Sequence, residues 1–210
     1  TVARYYTPSG RCIQKTFTPG NKKAYGNEII DRFTSGEVYN IDSVHLDKSQ
    51  TFYTLNGREV YGGGGIMPDV YVPNDTTGIT GYYINVFNAG LIQKYAFSYA
   101  DINREQLHKA KNVSEVFSML PPNDQLLQDF VLYAKNEGGI SPRWYYINIS
   151  SDLIVNQLKA LIARDVLGMN GYYEVINQTD PTVARALKEL NEGKAKYPIT
   201  NKQINDKEAS

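Results

Sequence analysis

The spacing of apolar side chains changes at Asn74, and this change divides the chain into two kinds of structure. Before Asn74, apolar residues lie in short extended segments interrupted by Gly, Pro and Asn, which is typical of strands and turns. After Asn74 they recur at helical intervals, as Ile84, Phe87 and Leu91 do. The sequence therefore predicts an α+β fold, with a small β-rich part over 1–74, an all-helical part over 75–192 and a polar tail over 193–210.

The helical part is predicted to contain a series of helices whose limits follow from capping and breaking residues. Gly90 is expected to weaken the first helix, since glycine is a poor helix former, and a kink or a close contact is expected there. Ser150 or Ser151 is expected to cap the helix over 153–167, which has a broad apolar stripe, and Trp144 is expected to lie in a connector ahead of that helix. The predicted helices cover 82–107, 114–120, 123–136 (capped by Asn123 or Asp124), 153–167 (ended by Gly168), 171–177 and 181–190 (opened by Asp180 and Pro181).

Turn signals organise the β-rich part. Thr7-Pro8-Ser9-Gly10 predicts a tight reversal between two strands within 1–14, and Asn56-Gly57 between alternating segments favours a type I′ hairpin. The glycines of 62–65 mark a backbone that turns sharply or lies close to another segment. Other expected elements are a short helix over 27–33, extended structure over 37–46 and a strand over 69–72 closed by Pro73.

Charge and cysteine content argue against several classes of protein. The chain has 22 basic and 22 acidic residues, whereas a nucleic-acid binder or a general binder of anionic membranes needs a basic excess. The single Cys12 excludes an intramolecular disulfide framework. No run approaches the ~20 apolar residues of a membrane span. Tyr is frequent, with 17 Tyr against 7 Phe, and it suits half-buried sites and interfaces.

Two motifs of the β-rich part form a recognisable pair: Tyr6-Thr7-Pro8-Ser9-Gly10-Arg11 with Ile13-Gln14, and Gly65-Ile66-Met67-Pro68-Asp69-Val70. The pair resembles the segment after the catalytic lysine in carboxyl-terminal processing peptidases, the tail-specific proteases that use a Ser-Lys dyad. In that family, Tyr-x-Thr-Pro-x-Gly-x-x-Ile leads to Gly-Ile-x-Pro-Asp. Residues 15–61 form an insertion between the halves that resembles Bacteroidetes-type members, and the helical part resembles their C-terminal extension.

The resemblance implies an exported parent enzyme, periplasmic or in the cell envelope, that cuts protein substrates near their C-termini. Upstream peptidase and PDZ domains of the same chain would be partners of this part, and no cofactor is implied. The family's Ser nucleophile and its Gly-Lys-Gly base motif lie upstream, and neither occurs here. The matched residues therefore have structural roles, and no catalytic residue can be carried over. Since a Ser hydroxyl needs a neighbouring base, this chain alone is predicted to be inactive.

Two pairs of residues are candidates for a nucleophile and its base, but each has a simpler structural explanation. Ser9 and Lys15 would suggest a Ser-Lys pair, but Ser9 occupies a turn position that favours Ser and nothing places Lys15 beside it. Cys12 with His45 would suggest a thiol nucleophile, but a lone Cys in a strand is usually a small buried apolar residue. Neither pair is therefore predicted to be catalytic.

Metal and phosphate sites are not predicted either. His45 and Asp47 would share one face of a strand, yet two ligands do not make a metal site, and His108 is remote in the helical part. The glycines of 62–65 are not followed by Gly-Lys-Ser/Thr, so they do not form a phosphate loop. Residues 66–68 do not open a helix, which excludes a dinucleotide fingerprint.

The chain begins inside a predicted strand, without an initiator Met or a leader, so we expect it to be the later part of a longer protein. A strand without its sheet exposes unpaired backbone groups, and we expect a homodimer through 1–14 by strand pairing or swapping. A chain that stayed monomeric at high concentration would contradict this. The alternatives are a stand-alone, non-catalytic protein-interaction module and an independent hydrolase at Cys12 or a metal.

Overall fold

The computed structural model describes residues 4–14, 27, 34–36, 50–55, 57–62, 65–66 and 68–193. The chain forms two compact units, one made of Thr1–Asn74 with Lys194–Ser210 and the other of Asp75–Gly193. The described residues are mostly helical, with a small two-stranded antiparallel sheet in the first unit. This confirms the predicted α+β class with a helical C-terminal part. The helix predicted over 27–33 (apart from Asn27), the extended segment over 37–46 and the tail from 194 onward lie outside the described residues.

The sheet of the first unit is the predicted hairpin, with a different loop. Strand β1 (Thr51–Tyr53) pairs antiparallel with β2 (Glu59–Tyr61). The Thr54 N–H donates to the Arg58 carbonyl at 2.9 Å, and the Gly57 N–H donates to the Thr54 carbonyl at 2.8 Å. Gly57 is left-handed, with a φ of +71°. Thr54 and Arg58 therefore close the connection, which ends in a left-handed glycine; this is a longer loop than the predicted two-residue type I′ turn. The Thr54 hydroxyl stabilises this loop, because it accepts a hydrogen bond from the Arg58 N–H at 3.2 Å.

The reversal near the start of the chain is present as predicted. The Gly10 N–H donates to the Thr7 carbonyl at 2.8 Å, and the Thr7 N–H donates to the Arg11 carbonyl at 2.9 Å. Beyond this turn, Tyr6 and Cys12 form an antiparallel bridge. Within 4–14 the predicted pair of strands is thus reduced to a turn and one bridge.

The strand predicted over 69–72 is absent. This segment contains a bend followed by irregular backbone. Pro68 and Pro73 flank it, and a proline has no N–H to donate to a strand ladder. The side chain of Asp69 pairs with Arg58 of the hairpin instead, so the segment is held by a side-chain contact.

The second unit is a bundle around its longest helix. Its helices are α1 (Gly81–Asn88), α2 (Leu91–Ile102), α3 (Arg104–Leu107), α4 (Val113–Met119), α5 (Asn123–Gly138), α6 (Trp144–Leu167), α7 (Met169–Ile176) and α8 (Pro181–Asn191). The central helix α6 packs against α1, α2, α4, α5 and α7. Among the helices of the described residues, none has the length and apolar character needed to cross a membrane.

The helix predicted over 82–107 is divided into α1, α2 and α3. Gly90 adopts a left-handed φ of +67°, which an ordinary side chain rarely adopts, so the helix that was expected to be weakened at Gly90 is broken there. Asn103 separates α2 from α3. The cap of α1 is Thr80, whose hydroxyl accepts from the Tyr83 N–H at 3.3 Å.

The central helix α6 begins at Trp144, well before the start predicted at 153. The predicted caps Ser150 and Ser151 lie inside it. Ser150 is fully buried, and its hydroxyl donates to the Gly78 carbonyl at 2.6 Å and lies 2.7 Å from the Thr80 Oγ1. The hydroxyl of Ser150 therefore joins α6 to the segment ahead of α1 and caps no helix.

The shorter helices follow their predicted limits closely because local contacts define their ends. Asn112 caps α4 by accepting from the Glu115 N–H at 2.9 Å. Asp180 caps α8 as predicted, and its side chain accepts from two backbone N–H groups of the first turn. The cap of α5 is Pro122, so the residues at 123–124 are helical instead of capping.

The core of the second unit lies around α6. Tyr95 of α2 packs edge-on against Phe130 of α5, with ring centroids 5.6 Å apart. Helix α8, by contrast, buries none of its residues. The largest fully buried apolar side chains are Phe130, Leu107, Leu126, Ile147, Ile154, Leu158, Ile162, Val86, Val116 and Val175. Burial of these side chains is the main stabilising contribution to the unit.

Two buried tyrosines make the helical unit sensitive to alkaline pH. Burial raises the pKa of Tyr82 to about 12 from an ordinary value of 10.0, and burial also raises the pKa of Tyr95 to about 12, with the charge of Asp129 adding to it. The unfolded chain ionises these phenols near pH 10.0, whereas the folded chain does so only near pH 12. The stability that they contribute is therefore complete below pH 10.0 and is lost as the pH rises towards 12.

We expect Tyr82→Phe to be more stable than the unmodified chain. The Tyr82 hydroxyl is buried and has no hydrogen-bond partner among the described residues. Leaving such a group unpaired costs about 1–3 kcal/mol, so its removal should stabilise the protein by about 1 kcal/mol at neutral pH. The loss of stability above pH 10.0 should also be smaller. Urea unfolding at neutral and alkaline pH measures both effects.

Tyr145→Phe is the matched control, because the Tyr145 side chain is 74% exposed. It should change neither the stability at neutral pH nor the alkaline loss. A destabilised Tyr82→Phe would show that the buried hydroxyl has a hydrogen-bond partner in solution.

Candidate functional site

The first half of the motif pair is a hydrogen-bonded turn. The Thr7 hydroxyl donates to the Arg11 carbonyl at 3.2 Å and lies 2.8 Å from the Ser9 Oγ. These contacts fix the turn on its inner side. The other motif residues surround it: Tyr6, Pro8, Gly10 and Ile13 are exposed, and Gln14 is half-buried.

The second half of the motif pair begins at the glycine run. A Cβ on Gly62 would lie 2.9 Å from the Phe52 Cε2 of β1, so only glycine fits here without a shift. Gly65 has a left-handed φ of +94°. The prediction that these glycines turn sharply or lie close to another segment is confirmed for both residues. Ile66 and Pro68 after them are exposed.

Asp69, the aspartate of the second motif half, forms a bidentate ion pair with Arg58. One guanidinium nitrogen, Nη1, donates to the Asp69 Oδ2 at 2.7 Å, and Nη2 donates to Oδ1. The paired geometry of an arginine fork on a carboxylate fixes orientation as well as distance. The side chains are 44% and 67% exposed, so the contact contributes geometry more than stability.

Both halves of the motif pair are thus attached to the same hairpin. The Arg11 Nη1 donates to the Tyr61 carbonyl of β2 at 3.4 Å, and Asp69 pairs with Arg58, which lies between the hairpin loop and β2. The sequence alone predicted no role for Arg11 or Arg58. Their positive charge, opposite to that of Asp69, was the one available signal. Opposite charge alone does not identify which arginine pairs with Asp69.

The predicted nucleophile candidates are not assembled into a site among the described residues. Ser9 is hydrogen-bonded to Thr7 within its own turn. Cys12 is a half-buried free cysteine, and its backbone forms the antiparallel β-bridge with Tyr6. His108 is exposed in the helical unit. The partners considered for these residues, Lys15, His45 and Asp47, lie outside the described residues. Over the described ranges, no group of three or more His, Cys, Asp or Glu side chains could hold a metal ion.

The helical unit contains a pocket that the sequence did not indicate. It has a volume of about 170 Å³ and lies where the break between α1 and α2 meets α6 and α7. Its lining residues are Phe87, Gly90, Ile92, Gln93, Gln157, Leu161 and Tyr172. They come from four segments, so no local pattern could have identified them together.

One polar side chain in the pocket has a fixed position. The Gln157 carboxamide donates to the Tyr83 hydroxyl at 2.7 Å; the Tyr83 side chain is buried and Gln157 is half-buried. A tyrosine hydroxyl is protonated at neutral pH, and burial raises the pKa of Tyr83 further above its ordinary value of 10.0. The pocket therefore combines apolar walls with neutral hydrogen-bonding groups.

A second surface feature is a group of exposed aromatic side chains at the start of α6. Trp144, Tyr145 and Tyr146 are 48%, 74% and 41% exposed. The rings of Tyr145 and Tyr146 contact each other edge-on, with centroids 5.2 Å apart. Exposed aromatic side chains of this kind are frequent in protein–protein interfaces.

One stretch of the helical unit matches a known family model. Residues 82–168 match the model of a family of unknown function (DUF8443). The match runs from α1 to the end of α6, and it includes every lining residue of the pocket except Tyr172. No curated protein and no solved structure matches the chain.

Proposed function

We propose that this chain is the C-terminal, non-nucleophilic part of an exported carboxyl-terminal processing serine peptidase. In this proposal the first unit completes or braces a protease core whose Ser nucleophile and Lys base precede Thr1. The second unit is a scaffold or dimer-forming extension. The upstream peptidase and PDZ domains are its partners, the parent acts on protein or peptide substrates in the periplasm or cell envelope, and a homodimer forms through 1–14.

The observation that carries this proposal is the attachment of both motif halves to one hairpin. Arg11 contacts the Tyr61 carbonyl, and Asp69 pairs with Arg58, so the hairpin holds two segments that are far apart in sequence. A hairpin inserted between two parts of a protease core would have to keep them in register. These contacts support such a bracing role.

The second candidate function is a stand-alone protein-interaction module without an enzymatic parent. The exposed Trp144, Tyr145 and Tyr146 favour it, because an aromatic group of this kind suits a binding surface. Upstream coding sequence separates the two candidates. The peptidase proposal requires a Ser motif and a Gly-Lys-Gly motif before Thr1, and a parent protein without them would overturn it.

We expect Asp69→Asn in the full parent protein to lower kcat/KM on a peptide substrate by about tenfold or more. The substitution removes the charge that orients Arg58, so the second motif segment loses its attachment to the hairpin. Small displacements of supporting groups reduce catalysis strongly when they move a base or a nucleophile. Hydrolysis of a fluorogenic peptide measures the effect.

Asp101→Asn is the matched control for this experiment. Asp101 also forms an exposed ion pair with an arginine, Arg104, at 2.6 Å, but on α2–α3 of the helical unit. Its replacement should leave kcat/KM unchanged. Equal losses for both variants would contradict the bracing role, and hydrolysis by residues 1–210 alone would contradict the non-nucleophilic assignment.

A further inference from the structure

We propose that the pocket of the helical unit binds one neutral phenolic ring. The proposal concerns the second unit alone and does not depend on the peptidase assignment. It rests on the size of the pocket, on the shape of its walls and on the hydrogen-bonding groups that face it.

The size of the pocket matches one six-membered ring. Its volume is about 170 Å³. A dry cavity of about 150 Å³ lined by Leu, Ile and Phe is known to bind benzene, and drug-sized ligands need at least about 300 Å³. A single ring with one small substituent is therefore the largest ligand that the pocket encloses.

Gly90, at the break between α1 and α2, is one of the residues that line this space. A Cβ on Gly90 would meet no atom within 4 Å, so the space directly beside Gly90 is open. Ile92 and Leu161, which are 2% and 7% exposed, form an apolar floor. Phe87 is 52% exposed and, with Tyr172, offers aromatic walls that suit edge-on or offset packing of a ring.

The polar groups of the pocket favour a hydroxyl on that ring. Gln157 is held by its hydrogen bond to Tyr83, and its Oε1 has no hydrogen-bond partner among the described residues, so it can accept from a phenol O–H. Gln93 adds a second carboxamide at the exposed rim. Every lining residue is neutral, so nothing in the lining compensates an ionised ligand, and a carboxylate would lose its hydration without a counter-charge.

Two kinds of ligand carry a phenolic ring: a free small molecule, and a peptide with a tyrosine side chain. The test is a titration of the 210-residue chain, followed by amide NMR spectra, with phenol, toluene, benzoate and N-acetyltyrosinamide as probes. We expect saturable shifts from phenol at amides of α1, α2 and α6. Toluene should bind about tenfold more weakly, and benzoate should not bind. Binding of N-acetyltyrosinamide would assign the site to a tyrosine side chain, and its exclusion would assign it to a free phenol.

Two variants test the location. Gln93→Trp, which places a large ring at the rim, should weaken phenol binding at least about tenfold, whereas Gln106→Trp on α3, outside the pocket, should not. Gln157→Leu should remove the preference for phenol over toluene while toluene still binds. Absence of saturable shifts with phenol, unchanged binding in Gln93→Trp, or equal affinity for benzoate would each overturn the proposal.

Discussion

Phe130→Ala should destabilise the protein by about 3–5 kcal/mol, the range found when a fully buried Phe is truncated in a packed core. Phe130 has an exposed fraction of 0% and lies in α5, where its ring packs edge-on against Tyr95 of α2. Tyr95 also contacts Tyr133, with ring centroids 5.3 Å apart. Truncation would therefore remove buried apolar area and also one of the two aromatic contacts that Tyr95 of α2 makes with α5.

Urea unfolding followed by circular dichroism measures this change as a lower midpoint. Phe97→Ala is the matched control, because Phe97 belongs to α2 but is 60% exposed. Its replacement should change the free energy of unfolding by no more than about 0.5 kcal/mol. Similar losses for both variants would mean that α2 and α5 do not pack through Phe130 in solution.

Gly171→Ala should destabilise the protein by about 1–3 kcal/mol, although alanine is the better helix former. A Cβ at position 171 would lie 2.8 Å from the Ala163 carbonyl oxygen and 2.9 Å from the Leu167 Cβ. Both atoms belong to α6, and the first is backbone, so α7 would have to move away from the central helix. Helix propensity offsets only about 1 kcal/mol of this cost.

Gly81→Ala is the control that isolates the contact. Gly81 is also a helical glycine, at the start of α1, and a Cβ there would meet no atom within 4 Å. Its replacement should be neutral or stabilising by up to about 1 kcal/mol. The two substitutions are chemically identical, so opposite signs in thermal or urea unfolding would locate the effect in the α6–α7 contact. A stabilised Gly171→Ala would show that the two helices are farther apart than described.

Helix limits were predictable where the signal is local. Asp180 with Pro181 predicted the start of α8, and the same side chain caps it in the structure. Gly168 ends α6 as predicted, since a glycine tolerates the backbone conformation that follows a helix. These signals depend only on neighbouring backbone groups, so the sequence by itself is enough to predict where these helices begin or end.

Predictions failed where a side chain acts at long range. Ser150 has the chemistry of a helix cap, but its hydroxyl donates to the Gly78 carbonyl, and α6 begins earlier, at Trp144. The strand expected over 69–72 is replaced by the Asp69–Arg58 ion pair. In both cases the residue could satisfy its polar group in two ways, and a partner distant in sequence decided between them.

By itself, the sequence determined the α+β division, most helix limits, the hairpin and the turns of the motif pair, because spacing, caps and glycines act over a few neighbouring residues. The tertiary structure alone decided which segments the motif pair contacts, where α6 begins and where the pocket lies. Gln157, Gly90 and Tyr172 converge only after α1, α2, α6 and α7 have packed. A pocket is a property of that packing, and no periodicity along the chain encodes it.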